Sequence, residues 1–205
     1  MLINHCLTRY KLLSLLACLW LTSCATFQPQ TAPAVDRDMT WAERSQTLSS
    51  IENWNLNALI AIRSSKDNGS ATLNWQQTKR NYTISLFGPL GSNAVKLSGM
   101  PGKVLLETAD GKKISATNPE SLLATQTGWR LPVSNLYYWI RGLPAPNKPA
   151  LKQFDAYHHL MSLHQQGWTI RYLHYVSFDR IDVPSKIYLD NPQLNVKIII
   201  NQWHF

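Results

Sequence analysis

Histidines and carboxylates are the residues here that could do acid–base or metal chemistry, so their spacing is read first. His158 and His159 are adjacent, and His164 and His174 follow. The segment Asp155–His164 reads as a strand. Neighbours on a strand point to opposite faces, so the pair could not share a metal. Among the acids, Asp67 and Asp110 lie at turn signals and Glu43 and Glu120 at helix starts, while Asp179, Asp182 and Asp190 sit in or beside loops. No Gly-x-Ser-x-Gly elbow, phosphate loop, dinucleotide fingerprint or His-Glu-x-x-His occurs. The expectation is no catalytic residue, no metal and no cofactor. Cysteine remains: Cys6, Cys18 and Cys24, too few for a disulfide-stapled scaffold.

Their position gives the cysteines a meaning. Residues 1–23 carry Arg9 and Lys11 and no acid, and then an apolar run, Leu12 to Trp20. That run is too short to span a bilayer, which takes about 20 apolar residues. A basic start, a short apolar core and small residues beyond it describe a secretory signal peptide over 1–23. Its end, Leu21-Thr22-Ser23-Cys24, resembles the lipobox of bacterial lipoproteins. In that class the cysteine thiol is diacylated, the chain is cut before it, and the new amine is acylated. Cys6 and Cys18 would leave with the signal, and a lipidated Cys24 is no longer a free thiol in an oxidising compartment. One acyl chain is a marginal anchor and several are a stable one. Alanine at position 25, where aspartate retains enterobacterial lipoproteins in the inner membrane, implies the outer membrane.

With 44% hydrophobic and 16% charged residues, the chain is not disordered. Its net charge is +8, but no basic run exceeds two residues, which argues against nucleic acid; the diffuse positive surface suits an acidic protein or an anionic surface as partner, or is ordinary solvated charge. Residues 24–39, with Pro29 and Pro33, form a flexible tether, and 40–205 form the folded domain. Thr40 and Glu43 mark a helix start, with a helix to about Ser50. From Trp54 the apolar period becomes two: Trp54–Ser64, Ser70–Gln77, Tyr82–Phe87, Asn93–Leu97, Val104–Thr108 and Lys113–Ala116 read as an antiparallel meander. Helices follow over Pro119–Thr127 and Pro132–Arg141, and then strands over Asp155–His164, Trp168–Val176, Ser185–Asp190 and Gln193–Trp203. The fold class is α+β, a mostly antiparallel sheet with helices against one face that curls into a barrel or part-barrel. Alternation leaves open whether its interior is filled or holds a cavity. Trp54, Trp75 and the apolar helix with Tyr138, Trp139 and Ile140 suit either a core or a lid over a cavity. In Gly88-Pro89-Leu90-Gly91 the turn puts a leucine at its tip, where it could enter a bilayer or fold back onto the core.

Several stretches together resemble the LolB family of outer-membrane lipoproteins. They are the lipobox, Trp54 with Leu59-Ile60-Ala61, Trp75-Gln76-Gln77, and Gly88-Pro89-Leu90-Gly91-Ser92. Asn118-Pro119-Glu120, the run Leu136 to Pro144, Gly167-Trp168, Pro184-Ser185-Lys186 and Lys197 to Trp203 complete them. The chain departs at Ala58, where relatives commonly have glycine. The resemblance implies an unclosed β-barrel with a helical lid over an apolar cavity that holds the acyl chains of passenger lipoproteins. It further implies a monomer that receives them from the periplasmic carrier LolA and inserts them into the outer membrane, with Leu90 in the membrane-insertion loop. Two alternatives stay open: a lipid-anchored scaffold subunit of an outer-membrane assembly, and a lipid-modifying enzyme using His158, His164 or His174.

Overall fold

The computed structural model describes residues 38–65, 68–89, 94–128 and 130–205. Helix α1 spans Trp41–Ser50 and opens on a capping box. The Glu43 N–H donates to Thr40 Oγ1 (3.3 Å), and the Thr40 N–H donates to Glu43 Oε2 (2.8 Å). Six strands follow: β1 (Asn53–Ser64), β2 (Asn68–Thr78), β3 (Asn81–Phe87), β4 (Val95–Met100), β5 (Lys103–Thr108) and β6 (Lys113–Ala116). Helices α2 (Pro119–Thr127) and α3 (Val133–Trp139) interrupt the sheet. It then resumes as β7 (Leu151–Phe154), β8 (Leu160–Gln165), β9 (Trp168–Phe178), β10 (Ile181–Asp190) and β11 (Leu194–His204).

All pairings are antiparallel, and the order is β6-β5-β4-β3-β2-β1-β11-β10-β9-β8-β7. Two meanders are thus stitched together at the first and last strands, with Ile60 opposite Ile198. The edges are β6 and β7, which do not pair with each other, so the barrel is unclosed. Both edge strands are only four residues long, which limits edge-to-edge association.

Alternation fixes which face is inside. On β1, Trp54, Leu56, Ala58, Ile60 and Ile62 are buried, while Asn53, Asn55, Asn57 and Leu59 are exposed. On β11, Leu194, Val196, Ile198 and Ile200 do the same. The helices cover this inner face, since Leu48 of α1, Leu122 and Leu123 of α2, and Val133, Leu136 and Trp139 of α3 belong to one core with these strand residues. The architecture is the expected α+β unclosed barrel with a helical lid. Gly99 on β4 leaves room for its cross-strand partner. A Cβ there would lie 2.1 Å from the Tyr82 ring, which occupies that space.

Three boundaries need correction. The expected strand Asp155–His164 is instead a turn followed by a strand. Asp155 Oδ1 accepts the backbone N–H groups of Tyr157 (2.9 Å) and His159 (2.8 Å), and His158 has φ 60°. The aspartate side chain substitutes for a backbone acceptor and closes the turn before β8 begins. Asp182, expected in or beside a loop, lies on β10 and is 2% exposed. The strand expected from Asn93 begins at Val95, and Asn93 lies outside the described residues.

Candidate functional site: the lid and its aromatic floor

Helix α3 is short and apolar on its inner side. It ends where Gly142 (φ 78°) turns left-handed, so that the Gly142 N–H reaches the Trp139 carbonyl (3.0 Å) and the Leu143 N–H the Tyr138 carbonyl (3.1 Å). The space above Gly142 is also taken, because a Cβ there would sit 3.3 Å from Pro184 Cγ. This closure aims Tyr137 and Tyr138 at β2 and β3. Between α3 and those strands lies a recess of about 370 Å³, lined by Trp75, Gln77, Lys79, Arg80, Tyr82, Val133, Ser134, Tyr137 and Tyr138. Its floor is aromatic. The Trp54 ring lies 5.2 Å from Trp75, 5.6 Å from Trp203 and 6.1 Å from Tyr137. Burial pushes the Tyr82 hydroxyl up to about 12, with the Glu120 carboxylate adding to it, so the wall presents a neutral phenol.

Of the residues singled out from sequence, Trp75 and Tyr138 line the recess and Trp54 lies directly behind it. The Trp54 indole N–H is buried and finds no acceptor among the described residues. Trp139 and Ile140 are both 0% exposed and belong to the fixed core. The Trp139 indole N–H donates to Gln165 Oε1 (2.8 Å), and the Tyr172 hydroxyl donates to the Trp139 carbonyl (2.9 Å). Side chains fill much of the space under the lid, and the recess opens at the lid's edge. Of the turn, Gly88 and Pro89 are described; Leu90 and Gly91 lie outside the described residues, as does Cys24.

Sequence reasoning gave Arg141 no role. Its side chain is 1% exposed. Nη1 donates to the Leu48 and Ile51 carbonyls (2.9 Å each), Nε donates to the Tyr137 carbonyl (3.2 Å), and the guanidinium lies 4.3 Å from the Tyr137 ring centre. Leu48 and Ile51 are at the C-terminal end of α1, where a helix offers unsatisfied carbonyls and partial negative charge. Arg141 therefore bolts α1 to the lid. Burial pulls its pKa below the usual arginine range, opposed by Tyr137 and Tyr138. The available signal was an arginine embedded in the apolar run Tyr137 to Leu143.

A second buried polar cluster sits beneath α1. His159 is 1% exposed, with Nδ1 2.9 Å from Asp155 Oδ2 and Nε2 3.2 Å from Asp182 Oδ2. A carboxylate oxygen faces each ring nitrogen, an arrangement that favours the protonated ring. Burial opposes that charge, as does Arg44, but Asp182 and Asp155 together outweigh them and the pKa is raised. The ring stacks on Tyr175 at 4.4 Å, and Arg44 donates to the Tyr157 carbonyl (3.2 Å) and the Asp182 carbonyl (3.5 Å). These contacts enclose the histidine and hold α1 and the 155–159 turn on the sheet. His158 is exposed in that turn, and His164 is an exposed strand residue near Thr169. Among the described residues no group of three or more His, Cys, Asp or Glu could hold a metal ion.

The comparisons bear on this arrangement. The family model described as Outer membrane lipoprotein LolB matches residues 52–203. The Outer-membrane lipoprotein LolB of Pseudomonas syringae pv. syringae (strain B728a) is 41% identical over 203 residues, 99% of this chain and 97% of that one. The protein of the same description from Coxiella burnetii is 38% identical over 196 residues, 95% of this chain and 93% of that one. Among solved structures, a LolA superfamily protein from Nitrosomonas europaea matches with a TM-score of 0.55 at 7% identity, over 82% of this chain and 94% of that one. At such identity this is a likeness of fold, and it agrees with the open sheet and lid seen here. The match to the family model and the near-full-length relatives carry more: the chain belongs to the LolB family of outer-membrane lipoproteins.

Proposed function

We propose that this protein is a monomeric, lipid-anchored receptor of the outer membrane, facing the periplasm. It takes lipoproteins from the carrier LolA by sheltering their acyl chains beneath α3, and it hands them to the bilayer. The observation that carries this reading is the lid seated on an aromatic floor, with the recess opening between α3 and β2–β3. An acyl chain entering there would replace side chain–side chain contacts by chain–aromatic ones, and the buried Trp54 N–H offers a donor to an ester or amide carbonyl. Acyl anchoring at Cys24 ends a tether over 24–39, which lets the domain reach both carrier and membrane. No bond is made or broken. Transfer runs on differences in affinity, tenfold for every 1.4 kcal/mol, so no nucleotide is needed if carrier, receptor and bilayer hold the chains progressively more tightly.

The test mixes a Cys24→Ala form lacking residues 1–23 with a carrier–lipoprotein complex. The expected result is movement of the lipoprotein to this protein without nucleotide. With Leu90→Glu, acceptance is expected to persist while delivery to vesicles fails. No movement, with both proteins folded, would overturn the receptor reading in favour of a scaffold with a co-purifying partner. Normal delivery by Leu90→Glu would remove that residue from the mechanism.

A further inference from the structure

The outer face of the sheet should be polar, since the helices bury the other one. It is not uniformly so. Cross-strand register places Ile199, Leu59, Thr72 and Phe87 in one row over β11, β1, β2 and β3. Leu59 is 50% exposed at the centre of the sheet. The row lines a trough of about 470 Å³ that ends at Gly88 and Pro89. An apolar residue alone on a surface means little, but Ile199, Leu59 and Phe87 grouped around Thr72 in one trough mark an interaction site. Three cations lie near it on the same face, among neutral residues and Asp190. Lys197 lies opposite Ala61, Arg63 is two residues beyond that, and Lys186 is opposite Ile199. None of these three cations has a carboxylate partner among the described residues, whereas Arg171 nearby is held by Asp190 at 2.8 Å.

We infer that this outer face is a membrane-contact surface for anionic phospholipid, with the apolar row against the acyl boundary and Lys197, Arg63 and Lys186 against the headgroups. Two observations select a lipid surface as occupant. The trough is continuous with the Gly88-Pro89 turn, and the charge beside it is positive in a chain of net +8. Cations next to an anionic bilayer are each attracted appreciably and in a salt-dependent way. The inference rests on the reading of the chain as a membrane-anchored receptor and adds an orientation to it. The domain lies sheet-down on the bilayer, with the lid and its recess turned toward the periplasm.

The experiment uses the full mature protein reconstituted through its own anchor into vesicles of phosphatidylcholine, with or without phosphatidylglycerol. A fluorophore is placed at Ser70→Cys on the outer face or Ser134→Cys on the lid, and nitroxide-headgroup lipid serves as quencher. Quenching of the Ser70 label but not the Ser134 label is expected on vesicles containing phosphatidylglycerol. It should be lost in Lys197→Gln/Arg63→Gln and at high salt. Equal quenching of both labels, or quenching indifferent to anionic lipid and to the two cations, would overturn the inference. So would shielding of the Ser70 label by an acidic carrier protein in place of lipid. Lipoprotein transfer is measured with the unlabelled protein on vesicles of the same composition, because Ser134 lines the recess. Intact transfer without Ser70 quenching removes this orientation alone, and quenching without transfer removes the receptor reading alone.

Discussion

Arg141 offers the sharpest test of how the lid is held. It is a buried cation whose compensation comes from carbonyls and rings: Leu48, Ile51 and Tyr137 carbonyls within 3.2 Å and the Tyr137 ring at 4.3 Å. In Arg141→Ala the two carbonyls at the end of α1 lose their donor, at about 1–3 kcal/mol for each buried group left unsatisfied. The cation–π contact, about 1 kcal/mol, goes as well, and the vacated volume leaves a void. Relief of the guanidinium's desolvation works the other way, since burial pulls its pKa down. A net loss of about 4 kcal/mol is expected, comparable to removing one partner of a buried charged network. Arg141→Met keeps most of the volume and removes the buried charge while leaving the carbonyls unpaired, so about 2 kcal/mol is expected. Arg141→Lys should fall between them, because an ammonium cannot serve both carbonyls and stack on the ring. Urea unfolding gives the three values. Hydrogen exchange should show α3 and the end of α1 losing protection together. If Arg141→Ala costs under about 1 kcal/mol, or loosens α3 without α1, the bolt described here is wrong.

Other consequences are measurable on the same protein. The His159 pKa is raised above its ordinary 6.5, so the stabilisation from its charged ring is fully present below about that pH and is lost as pH rises through the folded-state value. His159→Gln should abolish this part of the pH dependence in urea midpoints, and an unchanged profile would refute the raised His159 pKa. Gln165 accepts from Trp139 Nε1 and the Ala145 N–H (2.8 Å each) and donates to the Ala145 carbonyl (2.8 Å) and the Lys148 carbonyl (3.2 Å). Gln165→Leu should therefore cost about 3 kcal/mol, read by thermal or urea unfolding. Gln165→Glu should lose less at low pH, where it can still donate.

Much of the sheet was legible because the central strands are wetted on one face and buried on the other, which prints a period of two. Trp54–Ser64 read cleanly for that reason, and the capping box at Thr40 was legible from its residue types and spacing. The failures share a cause. Arg141 answers to Leu48 and Ile51, Arg44 to Tyr157 and Asp182, and Gln165 to Trp139 and Ala145, all distant in sequence. A charged residue on a linear chain looks solvated until the fold supplies its partners. The turn at 155–159 was missed because Asp155 was read as part of a strand and not as a side-chain acceptor for the backbone after it. Of the site, Trp75 and Tyr138 could be singled out as aromatics, but Tyr82 and Tyr137 join them only through the Gly99 vacancy and the closure of α3.

The filled space beneath the lid bears on how such a receptor would work. A preformed empty apolar cavity would bind acyl chains with most of their burial free energy and would compete with the bilayer for them. Here α3 rests on Trp54 through Tyr137, and Leu136 and Trp139 are buried in the core, so chains can pass beyond the recess at the lid's edge only as the lid is displaced. The apparent affinity is then the intrinsic one reduced by the fraction of molecules in the open state. On the proposed reading that reduction is useful, because the receptor must release to the membrane what it accepts from the carrier. Loosening the Arg141 bolt should then raise the open fraction, strengthen acceptance and slow delivery. If Arg141→Met instead weakens acceptance in proportion to its lost stability, the packed lid is merely structural and the affinity ladder must be set elsewhere.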